Sequence, residues 1–362
     1  MAAAATVVAI FQPQTRLAAQ GCVASRGGAC FHLPGMELQP VQAGFQGSVG
    51  YRWLHSDRHF VGDDEQEHRQ EEGSEVINDS HFIDLGLTYA ITPRWSVNLV
   101  VPFSINDRSQ VVRSNDVART ILQRFSTQSA GIGDVRLTGS GWVCDPLTMP
   151  RANLLLSLGV DMPTGEEDAT DTFQVYDSAT KQIVARERTV DQSIQPGDGG
   201  WGAITELYGY WRFLDRLNGY VNGVYVFTPE ELNDVPTYRS NPYEAIMSIA
   251  DTYMGRAGFD YMLWPAWGLA LSLGGRIEGV PVYDAIGGSE GFRRPGFAIS
   301  VEPGITVSRG GWMFNLSTPV AVYRNREQSV PDKELSDATG TYRQGDAAFA
   351  DFLVLFTMAK HF

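Results

Sequence analysis

From Val41 to the C-terminus, apolar residues recur at every second position rather than with a helical period. Trp95, Val97, Leu99, Val101, Phe103 and Ile105 fall on one face of an extended segment, opposite Ser96, Asn98, Val100, Pro102, Ser104 and Asn106. Ala152, Leu154, Leu156, Leu158, Val160 and Met162 alternate with Asn153, Leu155, Ser157, Gly159 and Asp161. Leu269, Leu271, Leu273 and Ile277 oppose Ser272, Gly274, Arg276 and Glu278. Such segments run to about 11–13 residues, the length of a tilted membrane strand and twice the usual globular one. Twelve of them are predicted, near 41–56, 80–91, 95–106, 130–143, 152–163, 199–213, 217–228, 250–263, 268–282, 295–307, 312–324 and 347–362. Connections after the even segments are short, such as Thr92-Pro93-Arg94 and Leu214-Asp215-Arg216. Most after the odd ones are long and polar, such as 57–79 and 164–198. That order predicts an all-β fold: a closed antiparallel transmembrane β-barrel with short periplasmic turns and long extracellular loops. An even strand number puts both ends of the barrel on the periplasmic side.

A soluble β-sandwich also alternates, with its apolar faces packed inward. Segment length, the order of the loops and the aromatic residues at the short-turn end (Trp95, Trp211, Trp264, Trp267 and Trp312) select the barrel. The final segment, Ala347 to Phe362, places Ala350, Phe352, Val354, Phe356, Met358 and Phe362 on one face. Its terminal Phe362 resembles the assembly signal that ends bacterial outer-membrane proteins.

The N-terminus adds an export reading. Met1 to Phe11 is apolar but too short to span a bilayer, and Leu17-Ala18-Ala19 offers small residues for cleavage, although a basic leader is missing. The expected division is an export segment at 1–21, a periplasmic segment at 22–40 and the barrel at 41–362. Of three cysteines, Cys22 and Cys30 flank a Gly-rich loop and are candidates for a disulfide in an oxidising compartment.

Composition narrows the function. The net charge of -14 argues against a nucleic-acid partner, which needs a basic surface. No Gly-x-Ser-x-Gly elbow is present, and Gly197 to Gly202 (GDGGWG) lacks a following Lys-Ser/Thr, so neither a hydrolase nor a phosphate loop is indicated. No enzyme, cofactor or metal is expected. The acidic loop with Asp63, Asp64, Glu65, Glu67, Glu71 and Glu72 has His55, His59 and His68 nearby, but its spacing fits no ligand motif and suits a solvated loop that shares ions with lipopolysaccharide.

Charges on the face opposite the apolar stripe are the candidate functional residues: Arg52, Asp84, Asp134, Arg136, Asp161, Glu206, Arg256, Asp260, Arg276, Glu278 and Glu302. Lumen charges set porin selectivity. They equally serve as cross-strand ion pairs that brace a narrow barrel, since a buried charge without a partner is costly.

Several stretches carry a family resemblance: Thr88 to Thr92 running into Val100-Val101-Pro102-Phe103, Gly131 to Val135, Gly159 to Gly165, Gly274 to Gly279, and Pro319 to Asn325. Through them the chain resembles the MetA-pathway of phenol degradation family of transporter-like outer-membrane barrels, over most of residues 45–362. The resemblance implies a barrel with a role in moving aromatic compounds and carries no catalytic residues. The function expected is passive passage of small, apolar or aromatic compounds across the bacterial outer membrane, through the lumen or a lateral opening. The alternative is a structural or surface-recognition barrel with a plugged lumen. The partners expected are outer-membrane lipid and lipopolysaccharide, the barrel assembly machinery and a small-molecule solute, with the barrel a monomer.

Overall fold

The computed structural model describes residues 43–362. The expected export segment, the 22–40 segment and the Cys22–Cys30 pairing lie outside the described residues. Twelve antiparallel strands make the wall: β1 (Gly44–Val61), β2 (Ile77–Ala90), β3 (Trp95–Arg113), β4 (Ile121–Ile132, resumed as Val135–Trp142), β5 (Ala152–Met162), β6 (Gly202–Leu214), β7 (Leu217–Phe227), β8 (Thr252–Trp264), β9 (Leu269–Val280), β10 (Gly296–Arg309), β11 (Trp312–Ser317, resumed as Val320–Arg326) and β12 (Ala347–His361). Each pairs with the next in sequence, and β12 returns to β1 with Gln46 opposite His361 and Phe60 opposite Ala347. Closure matters physically, because hydrocarbon supplies no partner for an unpaired strand edge.

Burial follows the predicted alternation. Leu99, Leu156, Leu158, Leu271 and Leu273 are exposed on the outside, while Asn98, Ser157, Arg276 and Glu278 between them are buried in the lumen. Trp95, Trp264, Trp267 and Trp312 stand half-exposed at the short-turn end. Three have a cation over the ring: Arg94 over Trp95 at 5.5 Å, Arg309 over Trp267 at 4.8 Å and Lys360 over Trp312 at 5.3 Å. An indole with an adjacent cation suits the membrane–water boundary. The two-residue turn Gly310-Gly311, between paired Arg309 and Trp312, has φ of 60° and 77°. Both angles favour glycine in a two-residue hairpin.

The structure departs from the predicted segments mainly at the long-loop end. β1 runs on to Val61 and β2 begins at Ile77, so the loop expected over 57–79 is partly sheet and holds a one-turn helix, His68–Glu71; β3 likewise runs on to Arg113. The loop expected over 164–198 contains a hairpin of Thr170–Asp177 and Gln182–Thr189, then a 3-10 turn, Gln192–Ile194. β4 begins at Ile121 rather than near 130, because its upper part pairs with the extension of β3 to Arg113, and Gly133-Asp134 interrupts it. There the Gly133 N–H still donates to the Pro102 carbonyl at 2.9 Å, while Asp134 leaves the ladder. In β12 the strict alternation read through Ala350 is broken, since the register with β1 shifts between Leu54 and Ser56 and again before Arg58.

Candidate functional site

Inside the wall the predicted charges form paired groups. Arg136 and Asp161 sit opposite each other on β4 and β5, 3.3 Å apart. Arg256 and Arg276 face each other across β8 and β9, and like charges so placed need a counter-charge. Glu302 on β10 supplies it, 3.4 Å from Arg256 and 3.8 Å from Arg276, while Glu278 takes a 2.8 Å bond from Arg276. Glu206 accepts from the Asn222 amide at 3.0 Å, and Asp260 from the Asn218 amide at 2.9 Å. The Arg52 guanidinium lies 4.3 Å above the Phe82 ring, with half-buried Asp84 on the neighbouring strand. Apart from Asp84 these charged groups are buried, and the belt crosses the lumen as a polar layer in which each charge has a partner while single atoms, such as Glu302 Oε2, accept no hydrogen bond among the described residues. It separates a cavity of about 90 Å³ on the short-turn side from one of about 130 Å³ on the long-loop side.

Asp134 does not join the belt. Its carboxylate accepts the Gly165 N–H at 3.0 Å and the Asp198 N–H at 2.9 Å, anchoring a loop that enters the barrel. That inserted segment, residues 191–200, is the feature sequence reasoning missed. The Ile194 carbonyl accepts from Asn106 at 3.3 Å and from Ser129 on the wall. Gln192 reaches the Ser248 carbonyl at 2.7 Å, and Asp191 pairs with Arg294 at 2.8 Å. Burial alone would raise the Asp191 carboxyl, but Arg294, Arg108 and Arg239 hold it well below the usual carboxylate range. Arg293 clamps Asp284 at 2.6 Å, and Asp251 accepts from Thr228 and Ala285, so loops 228–251 and 281–295 lock onto the same plug. The Gly-rich run around 197–202 was the one visible signal. Its glycines let two backbones meet: a Cβ on Gly197 would lie 2.7 Å from the Gly165 carbonyl carbon.

The wall has a weak seam between β11 and β12. β11 breaks at Thr318-Pro319, and its pairing with β12 ends at Val320 opposite Phe352. Above that point β12 stays paired with β1 as far as Ala347 and β11 with β10 as far as Arg326. Side chains cross between their diverging edges. Arg324 donates to the Ala350 carbonyl at 3.2 Å and to Asp351 at 2.6 Å, and Arg58 reaches Asp351 at 2.7 Å and Glu65 at 2.7 Å. A guanidinium thus stands where a strand N–H would otherwise donate. Apolar groups lie behind it: Phe60 edge-on to Phe349 at 5.6 Å, with Ala347 and Ala298. A backbone bridge between Gly62 and Arg326 closes the top. Pro319, which lacks a donor, is the residue that could have signalled the break from sequence.

Of the acidic-loop histidines, His59 is buried, 3.1 Å from Asp346, and its Nε2 accepts the Val76 N–H at 2.8 Å. His55 pairs with Asp79 at 3.2 Å. Among the described residues no cluster of His, Cys, Asp and Glu has the geometry to hold a metal ion.

A closed twelve-stranded barrel with an apolar exterior, an aromatic girdle and a polar interior is a transmembrane β-barrel of the outer-membrane type. No family model matches the chain, and no curated protein does. Among solved structures it is similar to the COG4313 outer membrane channel from Pseudomonas putida F1, with 12% identity and a TM-score of 0.56, over 91% of this chain and 100% of that one. It is less similar to the Pseudomonas putida toluene transporter TodX, with 11% identity and a TM-score of 0.47 over 96% and 99% of the two chains. The first likeness establishes the fold, which points to the bacterial outer membrane; the second bears no weight.

Proposed function

We propose that the protein is an outer-membrane channel for passive passage of small, apolar or aromatic compounds. The observation that carries this reading is the contrast between axis and wall. The axis is crossed by a belt of buried, mutually paired charges and a hydrogen-bonded plug, an arrangement ill suited to a wide aqueous pore. The wall between β11 and β12 is held above Val320 by side chains, up to the single Gly62–Arg326 backbone bridge at the top, with an apolar cluster behind them. An apolar solute that entered from outside would leave sideways there, at the outer edge of the apolar band. The MetA-pathway resemblance supports an aromatic solute, and the similarity to the COG4313 outer membrane channel agrees with passage. In this reading the barrel works as a monomer among lipid and lipopolysaccharide after insertion by the assembly machinery, with no cofactor, energy source or catalytic step.

Uptake of labelled toluene by cells carrying the barrel, beside planar-bilayer recording of the purified protein, tests the proposal. Uptake above that of cells without the barrel is expected, and Arg324→Ala should increase it by loosening the seam. Neither conductance nor uptake in the wild type would favour the alternative, a plugged surface-recognition barrel, for which the inserted 191–200 segment speaks.

A further inference from the structure

The two ends of the barrel hold their positive charges differently. At the long-loop end acidic side chains outnumber basic ones, and eight arginines are held in ion pairs, among them Arg58 with Glu65 and Arg326 with Asp332. The five short turns and the strand ends beside them reverse the balance. They carry six basic side chains, Arg94, Arg151, Arg212, Arg216, Arg309 and Lys360, against two acidic ones, Asp145 and Asp215, in a chain whose net charge is -14. Among the described residues none of the six is in an ion pair. Their hydrogen bonds go to neutral oxygens: Arg94 to the Trp142 and Val143 carbonyls at 2.8 and 2.9 Å, Arg212 to the Asn218 amide at 3.3 Å and Lys360 to the Gly310 carbonyl at 3.0 Å. Unpaired cations of this kind suit an anionic partner, and their placement selects which one. Three stand over the half-exposed indoles of Trp95, Trp267 and Trp312, at the height where hydrocarbon gives way to headgroups. The six are spread over four of the five turns and the end of β12, and Arg309 leans over Trp267 of the remaining turn. A protein docked at one side would leave most of this rim uncovered, whereas lipid meets every strand.

We propose that the short-turn rim is a docking ring for anionic phospholipid of the periplasmic leaflet, its unpaired cations holding headgroups of net negative charge such as phosphatidylglycerol. Two of the cations meet one turn: Arg309 begins the β10–β11 hairpin and Lys360 bonds its Gly310 carbonyl, so that turn should hold a headgroup most tightly. The inference rests on the outer-membrane reading and is independent of solute passage. The rim indoles report on the lipid beside them. The full-length barrel is folded into vesicles of phosphatidylcholine and phosphatidylglycerol in equal parts, with brominated chains on one lipid or the other. Quenching of tryptophan fluorescence then gives the relative association of the two lipids.

Phosphatidylglycerol should be preferred about two- to fivefold, the worth of one cation beside an anionic membrane surface. The preference should shrink as salt is raised, because these charges are exposed. Arg151→Gln, Arg216→Gln, Arg309→Gln and Lys360→Gln combined should bring it below about twofold. Arg119→Gln, Lys181→Gln, Arg186→Gln and Arg188→Gln combined, at the long-loop end, make the same change in net charge and should leave it unaltered. The heat-modifiable gel shift reports whether each variant is folded, and the wild-type preference with its salt dependence decides the case if the short-turn variant does not fold. Equal quenching by both lipids in a folded barrel would overturn the docking ring and leave its cations to an acidic periplasmic protein. A preference undiminished by the short-turn replacements, or lost equally in the long-loop control, would overturn it as well. A chain that inserts into neither lipid would defeat the outer-membrane reading together with the ring. Absence of solute uptake with the lipid preference intact would count against the channel reading alone.

Discussion

Leu156 and Ser157 test the facing of the wall at a single step along the chain. Leu156 is 48% exposed, opposite Gly141 and Leu207, while Ser157 is 2% exposed and shares a 2.8 Å hydrogen bond with Ser140. A strand tilted by about 40° climbs roughly 2.5 Å per residue along the membrane normal. Leu156 is the fifth residue of β5 and therefore sits about 10 Å above Ala152, near the middle of an apolar band about 25 Å tall. An arginine there should cost about 2–4 kcal/mol. That is a loss of about 30- to 700-fold in the folding equilibrium constant. Ser157→Asn keeps a hydrogen-bonding group in the polar lumen and should cost about 1 kcal/mol. Equilibrium folding of both variants into phospholipid vesicles in urea measures the difference. A Leu156→Arg barrel as stable as the wild type would mean that Leu156 does not face lipid, and the register of β5 would be wrong by one residue.

Three further outcomes follow from the ion pairs and the chain end. Arg276→Ala strands Glu278 and removes one of two guanidiniums from Glu302, so the barrel should unfold at lower temperature in the gel-shift assay, by the equivalent of about 3–5 kcal/mol; unchanged heat resistance with altered conductance would make Arg276 a constriction instead of a brace. Burial alone would raise the Asp346 carboxyl, but its hydrogen bond from His59 and the Arg69 charge bring it down to about 2. Against an unfolded value of about 3.9, this contributes about 2–3 kcal/mol that is fully present above pH 5 and lost as pH falls through about 4 toward 2. Asp346→Asn should therefore flatten the acid dependence of the gel-shift midpoint between pH 5 and 2, and an identical acid limb would refute the assignment. Deleting Phe362, whose N–H donates to the Phe45 carbonyl at 2.8 Å at the closing seam, should lower the yield of assembled barrel; a full-length chain soluble without detergent would sink the membrane reading altogether.

What the chain determined by itself is the side of the wall each residue faces. Alternation has a period of two whatever the partner strand, so Leu99 outside and Asn98 inside needed no knowledge of pairing. The number of strands was legible for a related reason: in a membrane each must be long enough to span, and the turns between them follow a short–long order. Partnership was not legible. Asp191 meets Arg294 across 103 positions and Arg58 meets Asp351 across 293, and only the closed register decides which inward charges share a level. For the same reason Asp134 read as one more lumen charge until the break in β4 turned it toward the inserted loop. The plug and the seam were decided by tertiary structure alone. A polar loop carries no periodic signal to say that it folds inward instead of out into solvent. The parting of β11 from β12 above Val320 depends on how β12 stays with β1 while β11 stays with β10, a competition that Pro319 could announce but not resolve.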